Sequence, residues 1–265
     1  MLKQMDKILD QEILTGFKTF PNQGILWEII EQQQTGKIFE LSSKAIVVME
    51  NCSDPFVFIA GELTDKDVTA VISLVKGLEF PMLYCQAKYH PLFLNHGWNF
   101  HLRSSLSLSE PGKIISLESD FEIKPIKSIE LFKQCTWYKE RSELYGSDEN
   151  FLRYGVGYAL CKGSSVVSEA YASNGGGCAE IGVITHTDHR NKGYATLIVS
   201  HLINECEKLQ TIPQWSCNVD NRASLGTGLK MGFKIDSYYT LLVPDCGNVV
   251  CKNLLNWLKN NDYPT

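Results

Sequence analysis

The segment that decides the fold reads Glu180-Ile181-Gly182-Val183-Ile184-Thr185-His186-Thr187-Asp188-His189-Arg190-Asn191-Lys192-Gly193-Tyr194-Ala195. Its start belongs to an apolar, strand-like run at 179–185, and a helix-like run follows at 196–209. A basic, glycine-bearing turn that leads from a strand into a helix is a natural seat for a phosphate. The first-turn N–H groups of a helix have no intrahelical partner, and the macrodipole adds about half a positive charge there. Gly193 lets the backbone approach a pyrophosphate, Ala195 keeps the next turn small, and Arg190 and Lys192 supply cations. The turn has the form R-x-x-G-x-A, without the glycine set of a dinucleotide fingerprint or the Lys-Ser/Thr of a Walker loop. Its meaning therefore depends on its neighbours.

Upstream, residues 154–162, 166–173 and 178–185 read as three strands. Gly163-Ser164 and Asn174-Gly175-Gly176-Gly177 separate them as hairpin signals. Before them, 126–145 is helix-like. Downstream come a strand at 214–219, a helix at 221–231 capped by Gly232, a strand at 233–243 and a closing helix at 249–260.

The order is helix, three-strand meander, phosphate-type turn, helix, strand, helix, Gly-Phe, strand. With Glu180 to Thr185, Arg190 to Ala195, Asn221-Arg222-Ala223-Ser224 and Gly232-Phe233, it resembles the GNAT superfamily of coenzyme A-dependent N-acyltransferases over about residues 126–243. In overall length and in having a preceding lobe, the chain is similar to the group that includes the zwittermicin A self-resistance acetyltransferase. The implied class is α/β: a GNAT domain at 119–265, with a mixed, largely antiparallel, splayed sheet flanked by helices, preceded by an N-terminal α/β lobe at 1–118.

The resemblance implies a site. Val183, Ile184 and Thr185 would offer a free strand edge to the pantetheine amides of acetyl-coenzyme A. Arg190, Asn191, Lys192, Gly193, Tyr194, Ala195 and Thr196 would hold its pyrophosphate, and a backbone N–H would stabilise the oxyanion formed at the thioester carbonyl. The acceptor would be a small-molecule amine that attacks directly. An alkyl ammonium has a pKa near 10, so only about one molecule in a thousand is nucleophilic at neutral pH and a general base helps. Glu180 is the candidate base and Glu169 the second choice; a carboxylate on a solvated strand face is the alternative reading of Glu180. Asn221 occupies a position that contacts coenzyme A or ties the splayed strand to the helix, and Ser224 the small residue on the same face. One departure concerns the general acid: many relatives place a Tyr four residues before the Gly-Phe pair, where this chain has Gly228. A thiolate with a pKa near 8.5 is still a fair leaving group. His186 and His189 flank the loop as turn residues, with phosphate contact as the alternative.

The N-terminal half reads as helices at 1–20 and 24–34, strands at 45–49 and 55–61, a helix at 65–77, a strand at 82–86, a short helix at 90–96 and a strand at 100–108. Pro81-Met82-Leu83-Tyr84-Cys85 before Gly97-Trp98 parallels Pro213-Gln214-Trp215-Ser216-Cys217 before Gly232-Phe233. The lobe is either a degenerate copy of the second half or a chance likeness of short strands. Where the basic turn would stand, it has Glu62-Leu63-Thr64-Asp65-Lys66-Asp67, whose carboxylates repel a pyrophosphate. One cofactor site is therefore expected. Trp98, Trp137 and Trp215 are candidate pocket aromatics, with core packing as the alternative.

At 265 residues and 44% hydrophobic content the composition is that of a globular protein. A net charge of −5 counts against a nucleic-acid partner. No apolar run approaches the roughly 18 residues that span a bilayer, and the amphipathic N-terminus lacks a secretory pattern. The nine cysteines are odd in number and without Cys-x-x-Cys pairs, Cys246 and Cys251 being the nearest two. Reduced thiols in the cytoplasm and no metal site are expected. A non-catalytic acyl-coenzyme A-binding module and a nucleotide enzyme are the competing readings, and oligomeric state is left open.

Overall fold

The structure, a computed structural model, describes residues 2–8, 10–110 and 120–245. Its elements in the first half are β1 (Lys3–Met5), α1 (Gln11–Phe17), α2 (Gln23–Ile30), β2 (Gly36–Glu40), β3 (Ile46–Glu50), β4 (Phe56–Ala60), α3 (Asp65–Val75), β5 (Met82–Tyr84), α4 (His90–Leu94) and β6 (Trp98–Leu108). The second half adds β7 (Phe121–Pro125), α5 (Ile129–Phe132), α6 (Tyr138–Tyr145), α7 (Asp148–Tyr154), β8 (Val156–Lys162), β9 (Ser165–Gly175), β10 (Cys178–Thr185), α8 (Tyr194–Lys208), β11 (Ile212–Asn218), α9 (Arg222–Lys230) and β12 (Phe233–Pro244). Contacts divide the chain into two compact units that interleave along the sequence. The first takes Met1–Pro21, Gly36–Arg103 and Tyr238–Thr265, and the second takes Asn22–Thr35 and Ser104–Ser237. A linear division at residue 118 does not describe these units, because β6 and β12 each begin in one and end in the other.

In the first unit β1, β2, β3 and β4 form an antiparallel meander, and β4 pairs in parallel with β5. The end of β12 lies antiparallel to β5, Leu242 opposite Leu83. Val47, Val57, Ile59, Val68, Val71 and Phe93 form the core between the sheet and its helices. In the second unit β7, β8, β9 and β10 are antiparallel, and β10 runs parallel to β11. Each unit thus sets a meander, a helix and a parallel strand in the same order.

The second unit's core follows strand alternation. Ala179 and Ile181 of β10 and Ala170 and Ala172 of β9 face Leu197, Ile198, Leu202 and Cys206 of α8. The opposite face carries Glu169, Tyr171 and Ser173 of β9, opposite Ile184, Gly182 and Glu180 of β10. Helix α2 lies directly on that face. A Cβ at Gly24 would come within 2.2 Å of the Ser173 carbonyl oxygen, and one at Gly175 within 2.1 Å of the Glu28 nitrogen. Only glycine permits this backbone-to-backbone approach.

Several expected elements change. Residues 1–20 are not one helix: residues 3–5 pair with β2, and α1 starts only where Asp10 accepts from the N–H groups of Glu12 and Ile13. The 126–145 helix is broken into α5 and α6. The N–H groups of Thr136 and Trp137, freed at the break, donate to Glu169 at 2.8 Å each. Strands β2 and β7 and helix α7 are additions. The hairpin signals hold, Gly176 and Gly177 taking positive φ of 58° and 77° in the β9–β10 turn. Leu9, the helix expected at 249–260, Cys246 and Cys251 lie outside the described residues. Seven described cysteines are free, and among the described residues there is no cluster fit for a metal and no helix long and apolar enough to cross a membrane.

Candidate active site

Strands β10 and β11 are paired from Cys178–Ile212 to Glu180–Gln214 and no further, whereas β10 stays paired to β9 as far as Thr185. The two parallel strands therefore splay after Glu180 and leave one edge of Val183 to Thr185 open. Below the opening lies a cleft of about 640 Å³ lined by β10, the basic turn and α9.

The turn's backbone makes the floor. Asn191 (φ 61°) and Gly193 (φ 82°) are both left-handed, and this alternation turns successive N–H groups toward one concavity. Gly193 caps α8 without a side-chain hydrogen bond, and the first N–H bond of the helix runs from Leu197 to the Gly193 carbonyl. The N–H groups of Asn191 to Thr196 have no hydrogen-bond partner among the described residues. A Cβ at Gly193 would meet nothing within 4 Å, so the space above it is open. Consecutive free donors at a helix N-terminus, beside the exposed Arg190, suit a pyrophosphate.

Val183, Ile184, Thr185, Arg190, Asn191, Gly193, Tyr194, Ala195, Thr196, Asn221 and Ser224 all line this cleft. Lys192 does not: its Nζ donates to the Asp188 carbonyl at 3.0 Å. Arg190 uses Nε on the Thr185 carbonyl (3.1 Å), which ties the turn back to the strand end. The side chain of Asn221 accepts from the Ser224 N–H (3.0 Å) and caps α9. The Ser224 hydroxyl accepts from the Trp215 indole at 3.2 Å. Gly228 lets α9 rest against that indole, where a Cβ would already be 3.3 Å from the ring. Residues not expected in the cleft are Arg222, Thr227 and Lys230 of α9; His189 lines it as well. Trp98 and Trp215 are core residues.

Glu180 stands three positions before Val183, about 10 Å along an extended strand. Its Oε1 accepts from Ser216 Oγ at 2.6 Å and from Asn22 Nδ2 at 3.1 Å, and Asn22 also reaches Ser216 at 2.9 Å. Neither partner was apparent in the sequence. Asn22 sits in a left-handed turn (φ 55°) ahead of α2 and gives its side chain to Glu180 rather than to a helix cap. Glu169, the second choice for a base, is fully buried and accepts from Thr136, Trp137 and the Tyr171 hydroxyl. Burial pushes its pKa up, and its oxygens are committed to holding the α5–α6 break.

At the equivalent point of the first unit the helix N-terminus is closed. Thr64 and Asp67 form a capping box on α3, and Asp67 also accepts from the Ser42 N–H at 3.0 Å. Burial opposes the Asp67 charge, but the hydrogen bonds from Thr64 and Ser43 outweigh it and lower the pKa.

This fold, with an unpaired strand edge above a basic turn at a helix start, is that of the GNAT class of acyltransferases. A family model, GNAT acetyltransferase, matches residues 15–242, and the chain belongs to that family. It is 31% identical over 100 residues to the uncharacterized N-acetyltransferase YdfB of Bacillus subtilis (strain 168), a match spanning 37% of this chain and 38% of that relative. A GCN5-related N-acetyltransferase-like protein from Streptococcus suis 89/1591 superposes with a TM-score of 0.71 at 22% identity, over 88% of this chain and 96% of its own. A tandem GNAT protein from the clavulanic acid biosynthesis pathway shares the fold at a TM-score of 0.58 and 8% identity, over 92% and 97% of the two chains.

Proposed function

We propose that the protein is an acetyl-coenzyme A-dependent N-acetyltransferase that moves an acetyl group to the primary amine of a small molecule by direct attack. The observation that carries this reading is the row of N–H groups from Asn191 to Thr196, without partners among the described residues, opening onto the same cleft as the edge of Val183 to Thr185 that β11 leaves unpaired. The row matches a pyrophosphate in charge and the edge matches an amide-bearing arm in hydrogen-bonding pattern. Arg190 adds a cation at the rim, and Asn221 and Ser224 shape the opposite wall. Acetyltransferases of this family use acetyl-coenzyme A, which supplies the activated acetyl group. Glu180, held at one oxygen by Ser216 and Asn22, takes the amine proton directly or through a water. With Gly228 packed on Trp215, the departing thiolate takes its proton from solvent.

The acceptor is a small amine rather than nucleic acid or a membrane component, and the reaction belongs in the cytoplasm, in keeping with the seven free thiols among the described residues. Likeness in length and lobe to the zwittermicin A self-resistance group makes amino-bearing antibiotics one set to screen. Calorimetric titration with acetyl-coenzyme A, followed by thiol-release assays on an amine panel, tests the proposal. Absence of acetyl-coenzyme A binding refutes it. Tight binding with no turnover on any amine supports a non-catalytic acyl-coenzyme A-binding module instead.

A further inference from the structure

Arg141, on α6, is a cation packed against aromatic rings. It makes no ion pair, and its Nε is buried with no hydrogen-bond partner among the described residues. Its guanidinium carbon lies 4.9 Å from the Tyr171 ring centre and 5.6 Å from that of Trp137. Two aromatic faces thus fix the plane of the group and shield it from water, which strengthens its attraction for an anion. Glu28 interacts with Arg141 through charge; it is fully buried, and the Tyr145 hydroxyl (2.7 Å) and the Asn174 N–H (3.3 Å) both donate to its Oε1, while Oε2 has no hydrogen-bond partner among the described residues. Burial raises its pKa to about 7, so it only partly offsets the guanidinium at neutral pH.

The position of Arg141 matters more than its charge. Its Nη2 would lie 3.6 Å from a Cβ at Gly182, and Gly182 is the residue on β10 two places after Glu180. Residues two apart on a strand share a face and stand about 7 Å apart. Glu180 and the guanidinium therefore occupy the same face of β10, next to each other, where the strand begins its splay. Gly182 has no side chain to separate them, and a Cβ there would meet Trp137 at 3.3 Å. Nη2, the guanidinium nitrogen beside Gly182, carries N–H groups that donate to a carboxylate in charge-assisted hydrogen bonds.

The geometry points to Arg141 as the residue that selects the acceptor: it binds a carboxylate carried close to the reacting amine, so the preferred acceptors are amino acids and compounds like them. The amine then faces Glu180 while the carboxylate sits on Arg141. This rests on the N-acetyltransferase reading and narrows it to a substrate class.

The test compares L-amino acids with their carboxamides as acceptors, using wild type, Arg141→Gln and Arg141→Lys, with coenzyme A affinity measured separately by calorimetry. Binding of each acceptor to the coenzyme A-bound protein is measured alongside turnover. Wild type is expected to favour the carboxylates by on the order of 10- to 100-fold in kcat/KM and in affinity, the range for a charge-assisted pair. Arg141→Gln should lose the preference mainly through KM, Arg141→Lys should keep part of it, and coenzyme A affinity should not move in either. Equal use or binding of acids and amides by wild type, no binding of either, or a preference that survives in Arg141→Gln overturns the assignment. Loss of coenzyme A binding in wild type would instead remove the N-acetyltransferase reading itself.

Discussion

The side-chain amide of Asn22 donates to Glu180 Oε1 at 3.1 Å, across 158 positions of sequence. With Ser216, hydrogen-bonded to both, it closes a triangle that joins the start of α2 to β10 and β11 at the last paired residues of the splay. The carboxylate is thereby fixed at one oxygen.

Glu180→Gln should lower kcat by about 10²- to 10⁴-fold, the usual worth of a general base. The amide keeps the shape and the acceptor oxygen for Ser216, so acetyl-coenzyme A affinity should be unchanged. Steady-state thiol release set against calorimetry checks both halves, and an active variant would move the base elsewhere.

Asn22→Gly separates position from stability. Glycine adopts the φ of 55° without strain, which favours the fold, but the donor to Glu180 is lost. A kcat lower by about tenfold is expected, one charge-assisted hydrogen bond being worth roughly 1.5 kcal/mol or more. The melting temperature should change little. A variant that melts early without a kinetic defect would make Asn22 purely structural.

Two cations two residues apart should differ. Arg190→Ala should weaken acetyl-coenzyme A binding by roughly tenfold, the range of one charge-assisted contact. Lys192→Ala should leave it within about twofold, because Lys192 is turned to the Asp188 carbonyl and away from the cleft. Titration calorimetry on the two variants decides; equal losses would mean that net charge rather than contact holds the anion.

Glu28 predicts a pH dependence of stability. Its folded-state pKa of about 7 lies above the ordinary 4.5 because burial disfavours the charge. The native state therefore binds more protons than the unfolded chain between these values. Stability falls as pH rises from about 4.5 to 7 and then levels, by up to about 3 kcal/mol. Glu28→Gln, neutral throughout, should flatten that part of the curve and melt higher than wild type at pH 8. Melting temperatures across pH 4 to 9 give the comparison.

In the first unit, Thr64→Ala removes half of the capping box and should cost about 1 kcal/mol. Because that helix end carries the carboxylates of Asp65 and Asp67 in its first turn, which oppose an anion, acetyl-coenzyme A affinity should stay as in wild type. Denaturant unfolding with a parallel titration tests this, and a drop in affinity would argue for a second anion site.

Where the candidate site is made of consecutive residues, the sequence was legible. The turn from Arg190 to Ala195, the strand before it and the helix after it are contiguous, so donors, cations and glycine could be placed together, and the structure sets all but Lys192 around one cleft. The hairpins at Gly163 and Gly176–Gly177 were legible for the same reason. Short edge strands such as β1 and β7 were not, because three to five residues carry little periodicity and become strands only through a partner. Arg141 lies among Lys139, Glu140 and Glu143, which reads as a solvated helix face. Only its packing on Trp137 and Tyr171 shows otherwise.

By itself, then, the sequence pointed to the family and to a basic, glycine-bearing turn at a helix start, with an acidic segment at 62–67 in the first half, since backbone conformation and local charge follow from neighbouring residues. The tertiary structure alone decided what holds Glu180, what buries Glu169 and what stands beside Gly182. Those relationships are hydrogen bonds and ring contacts between residues far apart in the chain, and a bond of about 3 Å is set by how helices and strands pack rather than by any spacing along the sequence.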